Sequence, residues 1–275
     1  MGEGGFLCKD VFCGEHRLNV RFVLRGALLA IPAALLLLAL GLWLQTPWAR
    51  SPDPTPPPPT ILAPAGAMPS GPVGLRAYAR YRGEGYLPVG SGFFLLLDGG
   101  DVVGVTAAHT VILDDPGHPL ASIALGIAGH DDFFGEFDTL RGAPGRPLAG
   151  ADLTVDYLLL AVDVPLEPEM LLRPDERGGP QPGERVWLVS GLGDGRLLEG
   201  TVQSATGTAV WVLMDRTFDP GQMSGSPLVS QHTGRAVGMA LAASPRRGGL
   251  LIGAHPIGSL VRLAEAAGES PRLGR

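Results

Sequence analysis

The chain has 275 residues, with 21 Lys or Arg against 27 Asp or Glu and a formal net charge of -6. That balance provides no basic patch and argues against a nucleic-acid partner. The length suffices for one substantial core in two halves plus an appendage, and both cysteines, Cys8 and Cys13, lie at the front of the chain, so no disulfide staples the rest.

Residues 1–25 read as a polar head. Cys8, Cys13 and His16 offer three metal-ligand types without a fourth, in a spacing no zinc motif uses, and are read as reduced, exposed groups. Gly26 to Leu44 carries no charge and is mostly Leu and Ala. At helical rise it reaches about 28 Å, close to the roughly 30 Å hydrocarbon core of a bilayer. Residues 26–45 are therefore expected to form one transmembrane helix. Leu42-Trp43-Leu44-Gln45-Thr46-Pro47-Trp48 has no small-residue cleavage site, and Trp43 and Trp48 suit an interface. Lys9, Arg17, Arg21 and Arg25 precede the span while Arg50 alone follows it closely. The positive-inside rule then keeps the N-terminus in the cytoplasm and exports the rest, as an uncleaved signal anchor. Residues 46–72, with the run Pro56-Pro57-Pro58-Pro59, cannot bury a core and read as a semi-rigid polyproline spacer.

From Val73 onward, short apolar runs are broken by Gly, Pro and Asp, the pattern of an all-β chain. The expected strands are Leu75–Tyr81, Gly92–Leu97, Val102–Thr106, Ser122–Ala128, Phe133–Thr139 and Tyr157–Val162. A turn-rich bridge, Pro165 to Pro182, leads to a second set: Arg185–Ser190, Leu197–Ala205, Ala209–Met214, Pro227–Ser230, Ala236–Ala242 and Leu250–Ala254. Apolar residues at helical spacing place a closing helix over Ser259–Ala267, followed by a tail, 268–275.

Three stretches carry chemistry. Ser224 lies in Asp219-Pro220-Gly221-Gln222-Met223-Ser224-Gly225-Ser226, after a turn and before an apolar strand. An alcohol nucleophile needs this exposure, small neighbours and backbone N–H groups aimed at the developing oxyanion. His109 ends an apolar strand in Val105-Thr106-Ala107-Ala108-His109-Thr110 and is the candidate base. Asp156 opens Asp156-Tyr157-Leu158-Leu159-Leu160, where burial strengthens a carboxylate's hold on an imidazole; Asp152 is its rival. His118, His130, His232 and His255 have no partner pattern and read as surface or structural, with His130-Asp131-Asp132 a weak cation motif.

In order and local sequence these stretches resemble the trypsin/chymotrypsin-like serine peptidases. Gly90-Ser91-Gly92-Phe93-Phe94, Gly183-Glu184-Arg185-Val186-Trp187, Gly234-Arg235-Ala236-Val237-Gly238 and Gly253-Ala254-His255-Pro256-Ile257 are similar to the bacterial periplasmic, high-temperature-requirement type, without a recognisable PDZ domain. The resemblance spans Val73 to Ala267. It implies two packed six-stranded antiparallel β-barrels, about 73–165 and 183–258, with a His109–Asp156–Ser224 triad between them. It also implies hydrolysis of protein or peptide substrates through an acyl-enzyme, without metal or cofactor. The backbone N–H groups of Gln222 and Ser224 would form the oxyanion hole.

The sequence departs from that family at Gln222, where glycine is usual, and the turn looks one residue long. Either it bulges to present the same N–H groups or the hole is malformed until substrate binds; the alternative to an enzyme is a peptidase-fold binding or scaffold protein that has lost turnover through this altered loop. Met223 stands where activated trypsins carry an aspartate, which implies no zymogen cleavage. Phe218 is expected in the substrate pocket, with Ala240, Leu241 and Ala242 along its wall. That lining suits small or medium aliphatic side chains, or basic ones if Asp219 points inward. The resulting expectation is a serine endopeptidase tethered to a bacterial cytoplasmic membrane, with its peptidase part outside.

Overall fold

The structure is a computed structural model and describes residues 70–130, 132–148, 150–192, 196–268 and 271–274. The polar head, the apolar span 26–45 and most of the proline-rich spacer lie outside the described residues. Among those described, no helix is long and apolar enough to cross a membrane.

The first half is built from β1 (Leu75–Tyr81), β2 (Tyr86–Leu96), β3 (Val102–Thr106), β4 (Leu120–Gly126), β5 (Phe133–Phe137) and β6 (Leu158–Ala161). They pair in the order β5-β4-β1-β2-β3-β6, and a short strand β7 (Leu171–Leu172) adds in parallel to β2. This corrects the expected closed antiparallel barrel: no continuous ladder joins β5 to β6. The chain leaves β5 and meets β6 through two main-chain bonds, Arg141 N–H to Leu159 and Ala161 N–H to the Thr139 carbonyl. The same segment is shared with the C-terminal residues, where Leu140 N–H bonds Pro271 and Leu273 N–H bonds Asp138. The expected tail thus pairs with the body over its described residues.

The second half is a closed barrel, as expected. Its strands are β8 (Arg185–Val189), β9 (Leu197–Ala205), β10 (Val210–Met214), β11 (Pro227–Ser230), β12 (Ala236–Arg246) and β13 (Gly249–Pro256), ringed β10-β13-β12-β11-β8-β9. β12 runs four residues past its expected end because it turns tightly through Gly248 (φ 94°) and pairs β13 back to Gly249. The closing helix, α1 (Ile257–Glu265), starts two residues early: Pro256, still extended, stands at its N-cap position, and Ile257, Leu260 and Ala264 form its buried stripe.

Three apolar cores explain why the central strands are apolar on both faces. Successive strand residues point to opposite sides. Phe94, Leu158 and Leu160 fill the first half, whereas their neighbours Phe93, Leu95 and Leu159 join Val229, Met239, Leu241, Ile257 and Leu260 between the halves. Leu228, Val237, Val212 and Ile252 fill the closed barrel. The bridge between halves is pinned to β12 by Asp175 N–H on the Ala236 carbonyl and Ala236 N–H on that of Arg173. Arg177 seals it, bonding Asp175 (Nη2 to Oδ2, 2.6 Å) and Glu184 (Nη2 to Oε1, 2.7 Å). Burial alone would raise both carboxyls, but hydrogen bonds from Arg177, with Thr233 on Asp175 and Ser230 on Glu184, hold them below the usual range.

Candidate active site

His109 sits in a single helical turn, Ala108–Thr110, directly after β3, and Asp156 follows a similar turn, Leu153–Val155, just before β6. Because β3 and β6 are antiparallel neighbours, with Thr106 opposite Leu158, the two side chains leave the sheet at the same edge. Asp156 is fully buried. Its Oδ1 accepts the His109 backbone N–H at 3.0 Å and its Oδ2 lies 2.6 Å from His109 Nδ1. A carboxylate only accepts, so this contact puts the ring proton on Nδ1 and leaves the Nε2 lone pair facing outward. Nε2 lies 2.8 Å from Ser224 Oγ. Asp152 is exposed and accepts instead from the Thr154 N–H (2.9 Å) and hydroxyl, capping its own turn.

The Ser224 loop crosses from the closed barrel to β2. Ser91 clamps it: its N–H donates to the Ser224 carbonyl (2.8 Å) and its hydroxyl to the Gln222 carbonyl (2.9 Å). Gly225 (φ 94°) passes so close that a Cβ there would lie 1.9 Å from the Ser91 carbonyl oxygen. On the barrel side Gly225 N–H bonds the Ala240 carbonyl at 2.8 Å, and Met223 is buried in the barrel core. Met223 thus gives the loop an apolar anchor in the closed barrel.

Pro220–Met223 is a reverse turn closed by Met223 N–H on the Pro220 carbonyl (3.1 Å), with positive φ at its third residue only, the type II pattern. Gln222 holds that position at φ 66° and is the one described non-glycine residue with positive φ. The conformation costs an L-residue about 1–2 kcal/mol. In a type II turn the central peptide, Gly221–Gln222, is flipped relative to type I, so φ at Gln222 decides which way its N–H points. Among the described residues no acceptor takes the N–H of Gln222 or of Ser224. The extra length read from the sequence is thus taken up within one tight turn.

Of the expected pocket residues, Leu241 is a bulge in β12, unpaired between Ala240, opposite Ala254, and Ala242, opposite Gly253. Its carbonyl lies 3.4 Å from Ser224 Oγ. Beyond it, Ala242–Arg246 pairs β13 on one side, whereas β11 covers only Ala236–Met239 on the other, leaving beside Ser224 a strand edge that no described strand pairs. Phe218 packs on the barrel core and lines a separate cavity of about 540 Å³ with Leu197, Glu199, Asp215, Arg216 and Thr217; His109, Asp156 and Ser224 do not line it. Asp219 is exposed and accepts the Gly221 N–H at 2.8 Å. No group of three or more His, Cys, Asp or Glu suited to a metal occurs among the described residues.

Sequence reasoning missed one neighbour of this site, Arg76, and read a second, His255, as surface or structural, whereas it is buried. Arg76, the lone cation of its end of β1, is buried and donates from Nη2 to Gln222 Oε1, while its Nη1 has no partner. Burial lowers its guanidinium below the usual value, only partly offset by Tyr78. His255 is fully buried with its ring edge-on to Tyr157 (5.8 Å). Burial draws it down to about 4, against the upward pull of Asp156 and Asp152. Only an odd charge and an odd imidazole in apolar strands hinted at either in the sequence.

No protein-family profile and no curated protein sequence matches the chain. Among solved structures it is similar to a serine endoprotease from Yersinia pestis, at TM-score 0.48 and 19% identity, covering 72% of this chain and 65% of that one. It is similar to the HtrA-type protease AlgW with decapeptide at TM-score 0.47 and 16% identity, covering 72% and 66%. It is also similar to kallikrein-related peptidase 10 at TM-score 0.48 and 17% identity, covering 71% and 94%. The chain spans less than two thirds of the length of the Yersinia pestis and AlgW chains.

Proposed function

We propose that this protein is a serine endopeptidase, carried on the outer side of a bacterial cytoplasmic membrane by one N-terminal helix. One observation carries the reading: His109 Nε2 lies 2.8 Å from Ser224 Oγ while Nδ1 lies 2.6 Å from the buried Asp156 carboxylate. Ser224 Oγ attacks the peptide carbonyl carbon, and its proton passes to His109 Nε2. The tetrahedral oxyanion is met by the N–H groups of Gln222 and Ser224. When the C–N bond breaks, the imidazolium gives its proton to the departing amine. Water, deprotonated by the same nitrogen, then releases the acyl group and restores Ser224. Asp156 orients the ring and stabilises its charged form. No metal or cofactor enters these steps.

The substrate backbone pairs along the open edge of β12 after Leu241, as a peptide adds to a free strand. Ala240 is buried in the barrel core, which leaves Ala242 to favour a small or medium aliphatic residue before the cut, since the Asp219 carboxylate is committed to its own turn. The uncharged run Gly26 to Leu44 and the basic residues ahead of it support the membrane tether.

A fluorophosphonate probe on the full chain tests the assignment. Wild type is expected to be labelled and Ser224→Ala not. Absence of wild-type labelling at every pH tried would overturn the enzyme in favour of a scaffold.

A further inference from the structure

Resting on the peptidase reading above, we infer that Arg76 is a positioning residue for the oxyanion donor, acting through the side chain of Gln222. The family pattern has glycine at this point of the turn because left-handed backbone costs glycine nothing. This chain instead has Gln222 at φ 66°. Two ties hold it there. Ser91 Oγ donates to its carbonyl at 2.9 Å, and Arg76 Nη2 donates to its Oε1.

The first tie is available to any residue, glycine included, since it grips the main chain. The second needs an amide side chain, which alanine or serine at this position would lack. Arg76 is otherwise poorly provided for. It is 6% exposed, its Nη1 has no partner, and Gln222 Oε1 is the one side-chain acceptor it has among the described residues. A buried guanidinium without a carboxylate is costly to keep, which makes a purely structural origin a poor explanation for its presence. From β1, through Nη2 on Gln222 Oε1, it supplies the directional bond that keeps the Gly221–Gln222 peptide in the flipped orientation. With that bond absent, the turn relaxes towards type I and rotates the Gln222 N–H away from the reacting carbonyl.

The consequence is a rate effect without a binding effect. Losing the tether releases the turn to the extent of its left-handed cost, so turnover should fall about 5- to 30-fold. Complete loss of a donor would cost about 10²–10³. KM should stay within about twofold, because the donor acts on the transition state rather than on the bound substrate.

The test is a double-mutant cycle on full-length protein, read by kcat and KM on a peptide substrate. Arg76→Met is expected to lower kcat by the stated factor in the wild-type background, but by less than about twofold in a Gln222→Gly background. In that background the turn no longer needs the side-chain tie. An Arg76→Met effect of equal size in both backgrounds, or none in either, would overturn the inference while leaving the peptidase reading intact. Wild type that neither hydrolyses peptide nor takes the fluorophosphonate would overturn both. Should Arg76→Met fail to fold, Gln222→Leu at the exposed end of the contact addresses the same tie. Its expected signature is a kcat loss of the same size with KM within about twofold, the melting temperature falling because Arg76 loses its acceptor; wild-type kcat in Gln222→Leu would sink the proposal.

Discussion

The closed barrel rings its core with strands that pair without a gap, whereas the first half leaves its sheet open and joins the ends by two main-chain bonds. The two halves also contribute differently to the candidate site. The barrel presents Ser224 on a turn anchored by Met223 in its core, while the open sheet sends His109 and Asp156 from one edge of two adjacent strands. Neither half holds the constellation alone. The distance from imidazole to hydroxyl is set by the apolar core between the halves and by Ser91, whose N–H and hydroxyl both reach across to the serine loop. The contrast teaches that the closed unit anchors the Ser224 turn in its apolar core, while the open one brings His109 and Asp156 to a single edge.

The largest effect is expected where the open sheet handles the proton. Asp156→Asn should preserve the fold yet lower turnover about 10⁴-fold, because an amide can stabilise the wrong imidazole tautomer. Asp152→Asn should leave turnover unchanged, since that carboxylate only caps its own turn. Steady-state kinetics on both variants decides between the two acids, and a reversed outcome would unseat Asp156.

Next comes the seam that ties the bridge to the barrel. Arg177→Met leaves Asp175 and Glu184 buried and facing each other without their cation, and chemical denaturation should show a loss of about 3 kcal/mol or more. A wild-type midpoint would mean that water or another group already neutralises the pair.

The smallest of these effects concerns pH. His255 titrates near 6.5 when unfolded and about 4 when folded, so between those values the unfolded chain binds a proton that the native one refuses. Stability therefore falls as pH drops through that window, by at most about 3 kcal/mol in all. His255→Phe should flatten the melting temperature across that range. Unchanged pH dependence in that variant would place the acid sensitivity elsewhere.

The all-β class, most strand positions and the triad candidates were legible in the chain because they depend on local pattern. Period-two apolar runs, turn residues at their ends and three short motifs each report on a few consecutive residues. The closure of one half and the opening of the other were not legible, since a strand's own sequence does not say whether its edge meets a partner or, as at Leu140, a returning C-terminal segment. The identity of the acid stayed divided between Asp152 and Asp156 for the same reason: which carboxylate faces His109 depends on how β3 and β6 register. Likewise Gln222 looked like a defect in the string, because φ 66° and the partners Arg76 and Ser91 arise only when residues 146 and 131 positions apart are brought together. Local chemistry chose the candidates; long-range packing decided which atoms meet.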